Sequence, residues 1–359
     1  MYTRLAPAAG PSPVTQAARD GIVLHERLTD LPTLSLGPFA RRPDGAIVAV
    51  EGTDVITSRD QGQTWERRAI FTPADQFSIR PERAILCTRH GALVVGCIND
   101  KDKQWTWTDA AHDAPGARAP TYAMRSLDGG QTWLDRQMLH EDWSGCIRNL
   151  IETRDGRIVL TAMRLRHAPG RHTVLTYASP DEGKTWQASN LIDLGDMGHH
   201  GGATEGTIVE LKDGRLLQYI RTNFSQLWFA ISQDGGRYWH PMGPAGIDAS
   251  SAPAQLLRLA SGRIALCWNR LYPEGKTSYP YRGGDGLWSA VPVSNHREEL
   301  SLAFSEDEGE HWSAPVVVAR KADKWLSYPY LFEVEPGVLW LTTMQGDLRA
   351  RLREADFVK

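Results

Sequence analysis

One turn is written five times in this chain. The copies are Ser58-Arg-Asp60-Gln-Gly62-Gln-Thr64-Trp65, Ser126–Trp133, Ser179–Trp186, Ser232–Trp239 and Ser305–Trp312. Each keeps Ser, Asp, Gly and Trp in the same four places, and five such matches are not a chance event. The residue types suit a tight β-hairpin. An Asp carboxylate accepts backbone N–H groups inside a turn. A Gly takes the positive φ the turn needs. A Trp lays a large apolar area against the sheet beside it. The acids of these turns are therefore read as structural rather than catalytic.

A second repeat precedes the first. It is a polar, Gly-containing turn between two apolar runs, at Asp44-Gly45, His90-Gly91, Asp155-Gly156, Asp213-Gly214, Ser261-Gly262 and Pro336-Gly337. These read as hairpins between the first and second strands of a unit. Six of these and five of the Trp-containing turns predict an all-β, six-bladed β-propeller of four-stranded blades, the last without its second turn. Blade six takes strands from 327–335, 338–344 and 348–356, and needs a fourth. Residues 21–28 are expected to supply it and close the ring, which removes an open sheet edge. Residues 1–20 then form an N-terminal extension, and 21–359 a single propeller domain. No helical periodicity of any length is present.

A formal net charge of -3 over 359 residues argues against a general nucleic-acid or membrane binder. No stretch approaches the roughly 20 apolar residues of a membrane helix. The first 20 residues lack the apolar core of a signal peptide, so the expected location is the cytoplasm, or a secreted or periplasmic one after removal of a leader. Cys87, Cys97, Cys146 and Cys267 form no C-x-x-C pair and read as small buried apolar residues.

In a four-stranded blade both repeated turns emerge on one face. The opposite face receives the entry to strand one and the connection from strand two to strand three. The entries carry Arg80, Arg83, Arg148, His199, His200, Glu205 and Tyr328, and exits from strand two carry Glu51, Asp54 and Arg221. The long connections 99–120 and 269–299 add Trp105, Trp107, Tyr272, Tyr279, Tyr281 and Trp288, which suit platforms for sugar rings. Arginines, carboxylates and a tyrosine around an axial pit fit a small anionic molecule, because guanidinium groups bind carboxylates in a bidentate manner.

The five turns resemble the Asp boxes of the sialidase (neuraminidase) superfamily, and the likeness runs through nearly the whole chain after residue 30. Glu205-Gly-Thr-Ile-Val-Glu followed by Arg221 resembles the sialidase pattern of blade four. Ser294-Asn295-His-Arg297-Glu-Glu resembles that of blade five, and Ser327-Tyr328-Pro-Tyr330-Leu331 that of the final blade. The resemblance implies an exo-acting retaining glycoside hydrolase that releases a terminal acidic sugar without a cofactor or metal. Tyr328 would be the nucleophile and Glu205 the base that takes its proton. Arg221 and Arg297 would hold the substrate carboxylate. A phenol titrates near pH 10, so it needs such a base at neutral pH. Sialidases with a tyrosine nucleophile depart from the usual two-carboxylate scheme of glycosidases.

The chain also departs from the family pattern. Blade one begins Leu34-Ser-Leu36-Gly-Pro38, where a sialidase places an arginine. Arg80 or Arg148 is the expected replacement. The blade-one loop that bears the acid/base aspartate is short, and Asp54 is the nearest substitute. The pair His199-His200 is not part of the family pattern. Such a pair at a pit suits an acid/base or a substrate clamp, and His200 is taken as substrate-binding. Two other functions therefore stay open: a hydrolase or lyase for uronic-acid or other unusual acidic glycans that uses His199 or His200, and a carbohydrate-binding propeller without catalysis.

Overall fold

The second strands of blades two, four and five, Leu93–Ile98, Leu216–Arg221 and Ile264–Trp268, are buried along their whole length, and those of the other three blades along most of it. Unbroken burial means that both faces of each blade are covered, as expected of stacked sheets whose strands read as apolar runs without alternation. The computed structural model, which describes residues 3–8 and 10–358, arranges these strands as a six-bladed β-propeller. Blade one is Phe39–Arg41, Ile47–Glu51, Asp54–Ser58 and Glu66–Ala69. Blade four is Thr204–Glu210, Leu216–Arg221, Gln226–Ser232 and Met242–Asp248. Blades one to five are antiparallel with their four strands in chain order. Among the described residues helices are limited to three-residue turns, and no helix is long and apolar enough to cross a membrane.

The apolar core lies between blades rather than at the centre. One cluster joins Val48 and Val50 of blade one to Ile85 and Leu93 of blade two. Another joins Val209 and Leu217 of blade four to Leu256 and Leu266 of blade five. The same arrangement recurs around the ring, ending with Phe39 and Ile47 of blade one against Val334 and Trp340 of blade six.

The repeated turns close the third and fourth strands of blades one to five with one set of bonds. The Ser hydroxyl donates to the Asp carboxylate at 2.8–3.0 Å and accepts the Gly N–H at 2.8–2.9 Å. The same carboxylate oxygen accepts the backbone N–H four residues on, at 2.8–2.9 Å. The acids bind their own turns, as their pattern predicts.

The ring closes differently from the expectation. Residues 21–28 do not add a strand to blade six. Val23–His25 pair instead with Val316–Arg320 on the outer edge of blade five, through Ala319↔Leu24 and Arg320↔Val23. The closing strand is Thr29–Asp30, antiparallel to Arg349–Arg353. The reason lies in the side chains. Leu24 and Leu28 are buried in the cluster between blades five and six, so the apolar run serves as a wedge and the short polar step beyond it makes the closure. Within residues 1–20, Val14–Ala17 pair with Val23–His25, and Arg4–Leu5 run parallel to His311–Trp312.

The burial of the turn tryptophans is unequal. Trp239 is fully buried and its indole N–H donates to Thr176 Oγ1 at 2.8 Å, whereas Trp186 is half-buried. Trp239→Ala is expected to lower the free energy of unfolding by about 3–5 kcal/mol. Trp186→Ala should cost distinctly less, and urea denaturation of the two variants would check the order.

Candidate active site

The face opposite the repeated turns holds a cavity of about 490 Å3. Glu205, Arg221, Arg297, Tyr328, Arg80 and His200 all line it. A second space, of about 600 Å3, is the axial channel between the first strands of the blades. Its lining mixes Leu, Ile and Val with charged residues such as Arg148, Glu152, Glu210 and Arg258, but it contains none of Glu205, Arg221, Arg297 or Tyr328.

Glu205 stands at the mouth of blade four. Thr204 pairs with Arg221, but the next regular pair is Thr207 with Tyr219, so a bulge falls at Glu205-Gly206. Bulges re-aim a side chain, and this one turns the carboxylate away from the pleat. Glu205 has φ +48°, a costly value for a residue with a side chain. At Gly206 a Cβ would lie 2.0 Å from Gln218 Nε2, so a side chain there would have to displace the Gln218 amide. Tyr328 starts the first strand of blade six, also at positive φ, +61°. Backbone strain at two facing functional groups is held only where surrounding bonds overdetermine it.

Those bonds are present. The Tyr328 hydroxyl donates to Glu205 Oε1 at 2.6 Å, and Arg221 Nη1 donates to Glu205 Oε2 at 2.6 Å. Arg221 Nε and Nη2 both donate to Ser251 Oγ, at 3.1 and 3.0 Å. Ser251 Oγ in turn donates to Asn223 Oδ1 at 2.8 Å, which fills all three of its bonding positions. The Ser251 carbonyl accepts Arg297 Nη2 at 2.6 Å, and Arg297 Nη1 donates to Gln345 Oε1 at 3.0 Å. One serine therefore spaces the two arginines.

The electrostatics follow from this packing. Burial pushes the Glu205 carboxyl up, but Arg221, the Tyr328 hydrogen bond and Arg297 outweigh it and hold it below the usual carboxylate value. Burial and the Glu205 charge push the Tyr328 phenol well above the usual tyrosine value. The resting pair is thus a neutral phenol against a carboxylate. Burial and the neighbouring Arg221 bring Arg297 down to about 10, so it remains a cation at neutral pH. Arg297 makes no ion pair with a carboxylate; its guanidinium lies 4.7 Å from the Trp325 ring centre and 5.7 Å from that of Tyr328.

Other expected residues are placed differently. Asp54 does not line the cavity: it ends the second hairpin of blade one, opposite Glu51, and sits 3.5 Å from Arg67. The short blade-one loop cannot carry it to the centre. Arg148 lies below the cavity rather than on its wall. It is 2 % exposed, donates to the Pro329 carbonyl at 2.6 Å, and stacks under the Tyr328 and Tyr330 rings at 5.3 and 4.7 Å. Of the expected replacements for the missing blade-one arginine, Arg80 is the one on the wall. Arg80 is already paired with Glu82 at 3.0 Å and lies 3.9 Å from Asp100. Of the expected aromatic platforms, Trp105 and Trp288 line the cavity; Tyr272 and Tyr281 bond to each other at 2.6 Å outside it.

Sequence reasoning missed Glu82, Ser251, Trp325 and Gln345. Glu82 and Trp325 stand two or three residues from positions already singled out, so proximity in the chain was an available signal. Ser251 and Gln345 carry no motif. Among the described residues no group of three His, Cys, Asp or Glu is placed to hold a metal ion.

Fold and site together define a sialidase-like six-bladed propeller. Residues 53–341 match the family model described as a BNR repeat-like domain, and the chain belongs to that family. A comparison with curated proteins found no match. Among solved structures, a protein of unknown function from Dyadobacter fermentans DSM 18053 aligns with a TM-score of 0.62 at 17% identity, over 92% of this chain and 98% of its own. A Hadza microbial sialidase aligns with a TM-score of 0.62 at 16% identity, over 91% and 67%. The alpha-L-arabinanase of Penicillium chrysogenum, complexed with arabinobiose, aligns with a TM-score of 0.56 at 11% identity, over 92% and 100%.

Ser251→Ala removes the acceptor shared by two buried guanidinium N–H groups. It is expected to cost about 1–3 kcal/mol of stability by urea denaturation. Ser251→Thr, which keeps the hydroxyl, should lose less.

Proposed function

We propose that this protein is an exo-acting retaining glycosidase for a terminal acidic sugar, sialic acid or a relative of it. The observation that carries the reading is the 2.6 Å contact between the Tyr328 hydroxyl and Glu205 Oε1. A phenol held against a carboxylate is an activated nucleophile, since the base accepts the proton as the oxygen attacks. A neutral phenol also approaches an anomeric centre that bears a carboxylate without the repulsion a second carboxylate would meet. The sialidase among the similar solved structures supports the same reading.

The substrate charge follows from a count. Five cations line the cavity, Arg80, Lys103, Arg221, Arg282 and Arg297, against two carboxylates: Glu205 answers Arg221, and Glu82 answers Arg80. Arg297 is buried, cationic and without a carboxylate of its own. A substrate carboxylate at this wall would complete it and meet the second guanidinium of Arg221 alongside.

In the first step the Tyr328 oxygen bonds to the anomeric carbon while Glu205 Oε1 takes the phenolic proton. The glycosidic C–O bond breaks, and the leaving oxygen takes a proton from an acid on the wall. In the second step water attacks the anomeric carbon, the bond to Tyr328 breaks, and Glu205 returns the proton to the phenolate. The water's own proton restores the acid. Glu82 is the remaining carboxylate lining the cavity and is assigned this role in place of Asp54.

Two variants test these assignments on synthetic glycosides of sialic acid. Tyr328→Phe should lower kcat on the order of a thousandfold or more. A variant that keeps full hydrolysis would remove the nucleophile assignment. Glu82→Gln should slow alkyl glycosides by about a hundredfold or more, yet leave aryl glycosides, whose leaving groups need no proton, nearly unchanged. Equal losses on both would assign Glu82 to holding Arg80 instead. A product that absorbs in the ultraviolet as an unsaturated uronate would point to a lyase.

A further inference from the structure

The histidine pair 199–200 has a hydrogen-bond order that can be read without ambiguity, because it starts at a group that only donates. The Trp105 indole Nε1–H lies 3.0 Å from His199 Nε2. Indole has no acceptor, so His199 Nε2 must carry the lone pair and its ring proton must sit on Nδ1. His199 Nδ1 lies 2.7 Å from His200 Nδ1. That contact needs one donor and one acceptor, so His200 Nδ1 accepts. The His200 proton is then on Nε2. Among the described residues this atom has no hydrogen-bond partner, and it is not sealed from solvent as the unpartnered ring nitrogens of His172 and His296 are. The His200 ring lines the cavity with Glu205 and Arg221.

The rings are held from every side. His200 stacks on Trp288 with centroids 4.7 Å apart at 16°, and His199 meets Trp105 and Trp107 edge-on at 5.3 and 5.8 Å. The backbone N–H groups of His199 and His200 donate to the carbonyls of Leu287 and Trp288, at 2.7 and 2.8 Å. Asn223 Nδ2 donates to the His200 carbonyl at 2.8 Å. Close approach to the blade-five loop requires Gly198, where a Cβ would stand 2.8 Å from the Trp288 carbonyl carbon. Burial, with Arg221, His199, His172 and Arg297 adding to it, pushes His200 down to about 2; burial also lowers His199, against the opposing charge of Asp109. Both imidazoles are uncharged at neutral pH.

We propose that Trp105, His199 and His200 form a tautomer lock that presents His200 Nε2–H as an uncharged donor to a hydroxyl or carbonyl oxygen of the sugar. The assignment rests on the glycosidase reading for its ligand but not for its hydrogen-bond order. A fixed donor beside two arginines divides the recognition: charged oxygens go to the guanidinium groups and a neutral oxygen goes to the imidazole. His200 is thus a positioning residue rather than an acid or base.

The test has two arms, both on the full chain. In a 15N-histidine-labelled protein, His199 should show a protonated Nδ1 and His200 a protonated Nε2. Trp105→Phe should convert this to a mixture of tautomers. A His200 signal protonated at Nδ1, or one indifferent to Trp105→Phe, overturns the lock whatever the protein hydrolyses. In the second arm, His200→Ala should lower kcat/KM on aryl sialosides about tenfold, the worth of one hydrogen bond. His200→Gln, whose amide N–H reaches the place of Nε2, should recover most of it. Full activity in His200→Ala overturns the donor role and leaves the Tyr328 chemistry standing. A wild-type chain that neither binds nor cleaves any acidic sugar overturns the donor role together with the glycosidase reading, while the labelled spectrum still decides the lock.

Discussion

The Glu205 carboxylate joins two blades across the ring axis. One oxygen holds Tyr328 of blade six and the other holds Arg221 of blade four, both at 2.6 Å and both buried. A buried charge of this kind tolerates no missing partner, since breaking such a pair costs about 3–5 kcal/mol. The same contacts explain why two residues with side chains keep positive φ. Each strained backbone position delivers its group to the other, and neither conformation would persist alone. The propeller supplies the rest. Apolar clusters between blades fix the ring, so the first strands arrive at the axis with little freedom to relax.

The fold was legible because its marks are local. Ser, Asp, Gly and Trp at fixed spacing make a hairpin whose bonds all lie within eight residues, and the five copies close with nearly equal distances. The blade count and the polar face follow from them. Ring closure was less legible, because the run at 21–28 is apolar enough for a strand on either of two neighbouring edges. Burial of Leu24 and Leu28 between blades decides the matter, and that is a property of the ring rather than of the segment.

At the site, the residues with a recognisable neighbour pattern, Glu205, Arg221, Arg297 and Tyr328, all line the cavity. Asp54 was chosen by position in a loop that proves too short. Arg148 was chosen by position at a blade entry, and its side chain takes the level below the cavity, where two tyrosine rings cover it. Ser251 could not be found at all. Its importance comes from two arginines separated from it by 30 and 46 residues. No local pattern records a convergence of that kind.

Charge divides the cavity into two sides. On one, Arg80 lies 3.0 Å from Glu82 and 3.9 Å from Asp100. On the other, Arg221 and Arg297 share Ser251 and face only one carboxylate, Glu205. Arg297, which has no carboxylate partner among the described residues, adds positive charge beside Tyr328. His200 and Trp288 add an uncharged polar group and an apolar face to the same wall. Under the proposed glycosidase reading, the ligand brings a carboxylate, an apolar ring face and a neutral oxygen to these walls. The arginine absent from blade one need not be replaced for this arrangement to work. Arg221, Arg297 and the His200 imidazole N–H are, under the same reading, the donors of this wall.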